Sequence, residues 1–117
     1  MGAFAAGSVV SVSFPFSDLS QSKFRPAVAL AGIGRNDWIF CQVTSNPYSD
    51  PKAVIITDDN FAKRSLQKIS YARPGKLFTA KEQLVVGEIG ALKKETLGKV
   101  IDAVIEILRE GLNTYRS

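Results

Sequence analysis

Apolar and polar residues alternate from the first clear element onward. Val9, Val10, Val12, Phe14 and Phe16 recur with a period near two, and Gly7 opens the run. This pattern predicts a strand that ends or bends at Pro15. Residues 17–22 read as a loop. Residues 26–31 are continuously apolar, as in a central strand covered on both faces. A turn over 32–37 leads to a third strand, 38–44. The segment 45–51, Ser-Asn-Pro-Tyr-Ser-Asp-Pro, is a loop by every turn signal. A short fourth strand is expected over 53–57. Thr57-Asp58-Asp59 then has the form of a helix start, with a short helix through about Lys63. Residues 70–72 read as a strand stopped by Arg73-Pro74-Gly75, and strands over 76–79 and 84–92 follow.

The period then changes. Leu97, Val100, Ile101, Val104, Ile105, Leu108 and Leu112 fall at helical spacing, which predicts one amphipathic helix from Lys93 to about Glu110. Gly98 inside it suggests a close packing contact, and Gly111 suits the C-terminal cap. Several short strands, a short internal helix and a terminal helix imply a mainly β, α+β fold. The expected architecture is a strongly bent antiparallel sheet or partly closed barrel, with the long helix over one open face or edge.

The 117 residues fit one domain, 1–117, with residues 1–6 expected as a flexible tail. Apolar residues make up 45% and charged residues 22%, enough for a core without metal or disulfide staples. The single cysteine, Cys41, lies in the apolar run Trp38-Ile39-Phe40-Cys41 and reads as a buried thiol. No run approaches the ~20 apolar residues that cross a bilayer, so no membrane role is expected and the cytoplasm is the natural compartment.

Several chemistries are excluded. The chain has no histidine, which removes Ser-His-Asp triads, Cys-His pairs and histidine-held metal. One cysteine removes a thiolate zinc site. Gly32-x-Gly34 is too short for a phosphate-cradling loop. Asp58-Asp59 reads as a helix cap before it reads as a cation site. An enzyme of this composition works without imidazole, and no cofactor is expected. The net charge of +4 favours an anionic partner only weakly. Its distribution is more informative. Between Asn60 and Lys81 lie Lys63, Arg64, Lys68, Arg73, Lys76 and Lys81 with no acid, and Phe61, Tyr71 and Phe78 stand among them. Such a window suits a phosphate backbone with unstacked bases. It equally suits a solvated face whose aromatics point into the core.

The remaining chemistry sits at the end of the central strands. Arg25 precedes Pro26, which holds it extended, and it follows a loop carrying Ser17, Asp18, Ser20, Ser22 and Lys23. The next long strand ends Gln42-Val43-Thr44-Ser45-Asn46. If the two strands are antiparallel neighbours, Arg25 and Thr44 meet at one rim, with Ser45 and Asn46 beside them. A guanidinium with nearby hydroxyls is a phosphate site. On spacing alone the plainer reading is an edge charge and an ordinary strand threonine.

Three motifs in order shift that balance: Gly7-x-Val9-Val10-x-Val12-x-Phe14-Pro15-Phe16-Ser17-Asp18, Lys23-x-Arg25-Pro26-Ala27-Val28 and Gln42-Val43-Thr44-Ser45. Together they resemble the MazF/PemK family of bacterial toxins, in the branch with a Phe-Pro-Phe-Ser-Asp loop. The resemblance runs from Gly7 to the terminal helix. It implies an SH3-like barrel, a homodimer, and sequence-selective cleavage of single-stranded RNA without metal by a toxin that a cognate antitoxin neutralises. It also implies catalysis by Arg25 and Thr44, with Ser45 adjacent and one of Ser17, Ser20 or Ser22 assisting. The RNA-contacting set then extends to Asp18, Lys23, Asn46, Lys63, Arg64, Arg73 and Lys76. The general base is left open, Asp18 being one candidate.

The chain departs from the family pattern at three places. Ser22-Lys23-Phe24 stands where better-known members have a glycine pair. Ser70-Tyr71-Ala72-Arg73-Pro74 replaces an acidic stretch, with only Arg73 matching. Gly7-Ser8 replaces Gly-Asp. Two other readings stay open: an RNA- or protein-binding module of the same fold that does not cut, and a gyrase-directed toxin like those of a related family.

Overall fold

The structure, a computed structural model, describes residues 4–15 and 22–116. Seven strands form one sheet: β1 (Ser8–Pro15), β2 (Ser22–Gly34), β3 (Asp37–Thr44), β4 (Val54–Ile56), β5 (Phe61–Arg64), β6 (Ser70–Lys81) and β7 (Val85–Leu92). Their order is β4-β6-β3-β2-β1-β7-β5, and every neighbouring pair is antiparallel. Helix α1 (Lys94–Asn113) closes the described chain.

Strand alternation sorts the apolar residues onto two faces. Val9 faces Val28 and belongs to one core with Cys41, Val43, Ile56, Phe61, Ala72, Leu92 and the helix residue Val100. Val10 faces Ala27 and belongs to a second core with Val12, Ala29 and Phe40. Strands β1 to β3 are therefore covered on both faces, which explains their near-continuous apolar character. Phe4 caps the second core, its ring 4.8 Å from that of Trp38. The β2–β3 hairpin turns through Arg35 and Asn36, both with positive φ (56° and 66°), the backbone of a two-residue turn matched to strand twist.

Three elements differ from the sequence expectation. The short helix is a single 3-10 turn, Asp58–Asn60, and the chain then enters β5. Asn60 closes that turn, its Oδ1 accepting from the Thr57 amide at 2.8 Å, while Phe61 is drawn into the core opposite Leu92. Burial of the ring outweighs local helix propensity. The two strands expected around Arg73-Pro74-Gly75 are one strand, β6, whose register against β3 shifts between Cys41 and Val43. The extra residues are absorbed as a bulge, where a proline and a glycine are tolerated. Finally, α1 runs through Gly111, and Thr114 is its C-cap. No helix among the described residues is long and apolar enough to cross a membrane.

Candidate active site

Arg25 lies on β2 opposite Val12 of β1, on the face of the sheet that carries Val10, Ala27 and Phe40. The β2–β3 ladder pairs Ala29 with Phe40 and Ala27 with Gln42. The same register continued by two residues brings Arg25 level with Thr44. Thr44 is in turn opposite Tyr71 of β6, and Tyr71 is opposite Ile55 of β4. Directly opposed residues share a face. Arg25, Thr44, Tyr71 and Ile55 thus form a row across one end of the sheet. Arg25, Thr44 and Tyr71 are half-buried, and Ile55 is exposed.

The loop after Thr44 is held by side chains rather than by strand pairing. The Thr44 hydroxyl oxygen accepts from the Asn46 amide at 3.1 Å, and Asn46 Oδ1 accepts from the Tyr48 amide at 2.9 Å. Tyr48 and Ser49 then take successive positive φ values of 54° and 59°. Non-glycine residues adopt this region rarely, and two in a row need outside support. Asp50 supplies it. Its amide donates to Pro47 O, one carboxylate oxygen accepts from the Lys52 amide, and the other accepts from Arg73 Nε at 3.0 Å. The Lys52 amide first, and Arg73 next, hold the Asp50 carboxyl below the usual carboxylate range. Arg73 lies with its guanidinium carbon 5.5 Å from the centroid of the Tyr48 ring.

The thirteen residues singled out in the sequence do not form one patch. Arg25, Thr44, Ser45, Asn46 and Arg73 gather at the end of β2, β3 and β6 or on the loop that leaves it. Lys76 is exposed at the β6 bulge. Lys63 and Arg64 stand on the edge strand β5, where Glu88 takes Arg64 at 2.7 Å and Lys63 at 3.8 Å. Ser22 and Lys23 begin β2, opposite Pro15 and Phe14. Ser17, Asp18 and Ser20 lie outside the described residues.

The basic window resolves largely into structure. Four of its cations face carboxylates: Lys63 and Arg64 on Glu88, Arg73 on Asp50, and Lys81 on Asp37. Phe61 is in the core, and Phe78 stacks on Phe40 at 5.3 Å.

Cys41 is fully buried and donates to the Arg73 carbonyl at 3.1 Å. Burial pushes its thiol up to about 12, so it is a packing residue and not a nucleophile. No group of three or more His, Cys, Asp or Glu side chains converges among the described residues. Two residues of this region escaped the sequence reading, Tyr48 and Asp50, whereas Tyr71 is one of the aromatics of the basic window. The only sequence signal was the pair Asn46 and Asp50 flanking Pro-Tyr-Ser, which favours side-chain-capped turns.

What the arrangement can do is hold a phosphate. Arg25 presents donors in a plane, and Thr44, its oxygen already engaged by an amide, keeps its O–H proton to donate. The solved structures similar to this chain have the same fold. An endoribonuclease in complex with its cognate antitoxin from a mycobacterial species is 17% identical, with 93% of this chain and 96% of that one covered and a TM-score of 0.68. The MazE–MazF complex of Deinococcus radiodurans is 16% identical over 91% and 96%, at 0.74. MazF of the same organism is 17% identical over 91% and 96%, at 0.70. No curated protein matches the chain in sequence. A family model described as PemK-like, MazF-like toxin of type II toxin–antitoxin system matches residues 5–108. With nearly the whole chain inside that match, the protein belongs to the PemK-like, MazF-like toxins of type II toxin–antitoxin systems.

Proposed function

We propose that the protein is an endoribonuclease toxin that cuts single-stranded RNA at selected sequences without a metal, through Arg25 and Thr44. The observation that supports this is the β2–β3 register, which leads to a guanidinium and a threonine hydroxyl at the same level on one face. In the reaction the RNA 2′-hydroxyl attacks the adjacent phosphorus. The P–O2′ bond forms, the P–O5′ bond breaks, and a proton returns to the departing O5′. Charge that grows on the phosphoryl oxygens is met by Arg25 and by the O–H of Thr44. Arginine, with a pKa above about 12, is not the base. Solvent or the Asp18 carboxylate takes the 2′ proton.

The toxin acts in the cytoplasm as a homodimer. A cognate antitoxin with a flexible acidic segment silences it by folding over Arg25 and the loop beside it.

The test is cleavage of a long, weakly structured RNA in EDTA by the wild type, Arg25→Ala and Thr44→Ala. Discrete fragments are expected from the wild type, with Arg25→Ala slower by about 10²–10³-fold, as for loss of one transition-state donor. Intact RNA in every lane with folded protein would replace this reading by a non-cutting binding module. Cutting that needs both residues also argues against a gyrase-directed toxin.

A further inference from the structure

We infer that Tyr48, seated against Arg73, is a stacking platform for an unpaired RNA base next to the cleaved bond, so that the loop between β3 and β4 helps select the sequence cut. The inference rests on the RNA-cleaving reading of Arg25 and Thr44, and it assigns the neighbouring subsite.

Tyr48 is 64% exposed, although a large aromatic side chain is usually drawn inward. It is nevertheless fixed. Its amide is held by Asn46 Oδ1, its backbone is left-handed, and Arg73 lies over its ring. Arg73 is itself oriented by Asp50 through Nε. A conformation that carries backbone strain only to present an exposed ring has no packing explanation. It suits a preformed surface for a flat ligand. An unpaired base is flat, and bases stack on a tyrosine with unequal strength, which gives a modest base preference, while Arg73 adds a cation beside the ring.

The platform is also in the right place. The Asn46 side chain that holds Tyr48 belongs to the residue whose amide engages the Thr44 hydroxyl. On β6, Tyr71 opposes Thr44, and Arg73 is two residues further along the same face. Ladder geometry puts Arg73 roughly 8 Å from Thr44. A phosphate at Thr44 therefore leaves an adjacent base within reach of the Tyr48 ring.

The full chain is tested in two ways. Binding to an RNA oligonucleotide with 2′-deoxy substitution at the cut position is read by fluorescence anisotropy, and cut sites in a long RNA are mapped by sequencing fragment ends. Tyr48→Ala is expected to weaken binding and raise KM about 10- to 100-fold, with kcat less affected, and to flatten the base preference beside the cut. Tyr48→Phe keeps the ring and restores both. Tyr48→Leu keeps apolar bulk without a π face and behaves like Tyr48→Ala; it carries the test if the alanine variant does not fold. Tyr115→Ala, on the exposed C-terminal end, leaves both readouts at wild-type values. Arg25-dependent cutting with wild-type affinity and cut-site distribution in folded Tyr48→Ala or Tyr48→Leu would overturn the platform alone. A wild type that binds the oligonucleotide through Tyr48 but does not cut would overturn the nuclease reading alone. A wild type that neither cuts nor binds RNA overturns both.

Discussion

Glu88 shows how one residue can explain a departure from a family pattern. Its side chain is only 12% exposed, and its Oε2 accepts from the buried Ser8 hydroxyl at 2.5 Å. The Ser8 bond first, and then the charges of Lys63 and Arg64, hold the carboxyl below the ordinary glutamate value, with burial opposing them. An aspartate at position 8, as in the usual Gly-Asp, would set a second carboxylate against Glu88. Serine supplies a donor instead, and the carboxylate then anchors both ends of a local network: the β1 start through Ser8 and the β5 edge through Arg64. Lys63 and Arg64 are more than half exposed, so their pairs add little, and the hydroxyl bond carries most of the effect. Glu88→Gln is expected to destabilise the protein by about 1–2 kcal/mol near neutral pH. Because the folded-state pKa is lowered, this stabilisation is complete above the unfolded value of about 4.3 and is lost as pH falls through the folded value. Thermal melts of both proteins in steps from about pH 7 to about pH 3 check it. A gap in Tm that stays constant to the acid end would show that the charge of Glu88 contributes nothing.

Glycines test the elements. A Cβ on Gly90 of β7 would come within 2.9 Å of both the Lys63 carbonyl oxygen and the Phe61 ring. Gly90 is what lets the edge strand β5 lie against β7, and Gly90→Ala is expected to destabilise by about 1–3 kcal/mol. Gly98 is the opposite case. The sequence suggested a close contact there, yet nothing outside its own helix lies within 4 Å of a Cβ at that position. Gly98→Ala should therefore stabilise by about 0.5–1 kcal/mol. Urea unfolding of the two variants reads both signs, and a destabilised Gly98→Ala would refute the assignment. The elements also show what is legible in a sequence. Strand alternation and the helical stripe are local, so β1, β3 and α1 could be read directly, while the antiparallel β2–β3 pair is a condition that the register meets. The break at Arg73-Pro74-Gly75 is also local, but β6 passes through it with a bulge against β3. The turn at Thr57 carries true helix-start residues, but Phe61 has a place in the core opposite Leu92. The fold of the Tyr48 loop depends on Asp50 meeting Arg73, 23 residues away, and no pattern within the loop announces that partner.

At the scale of the whole molecule, α1 is apolar over a wider face than the core occupies. Thr96 and Val100 are its buried residues, and Leu97, Ile101 and Val104 pack against the core beside them. Beyond Val104 the core side continues as Ile107, which faces Gly75 of β6, while one flank of the helix carries Ile105, Leu108 and Leu112, and the last two are 66% and 64% exposed. A helix that needed only to cover this core could carry polar residues on that flank. An apolar stripe of this kind at the end of a well-formed helix is what a second copy of the chain would cover in a homodimer. Light scattering coupled to gel filtration at micromolar concentration is expected to give twice the mass of one chain. Leu108→Lys should shift that species toward the monomer while leaving the fold intact, because the side chain it replaces is already in solvent within one chain. The near-UV and far-UV circular dichroism of the variant serve as the check on folding. A wild type of single-chain mass across the micromolar range would leave the stripe without this partner and remove the dimer from the proposed mechanism. A dimer unaffected by Leu108→Lys would move the interface away from the helix, to the sheet.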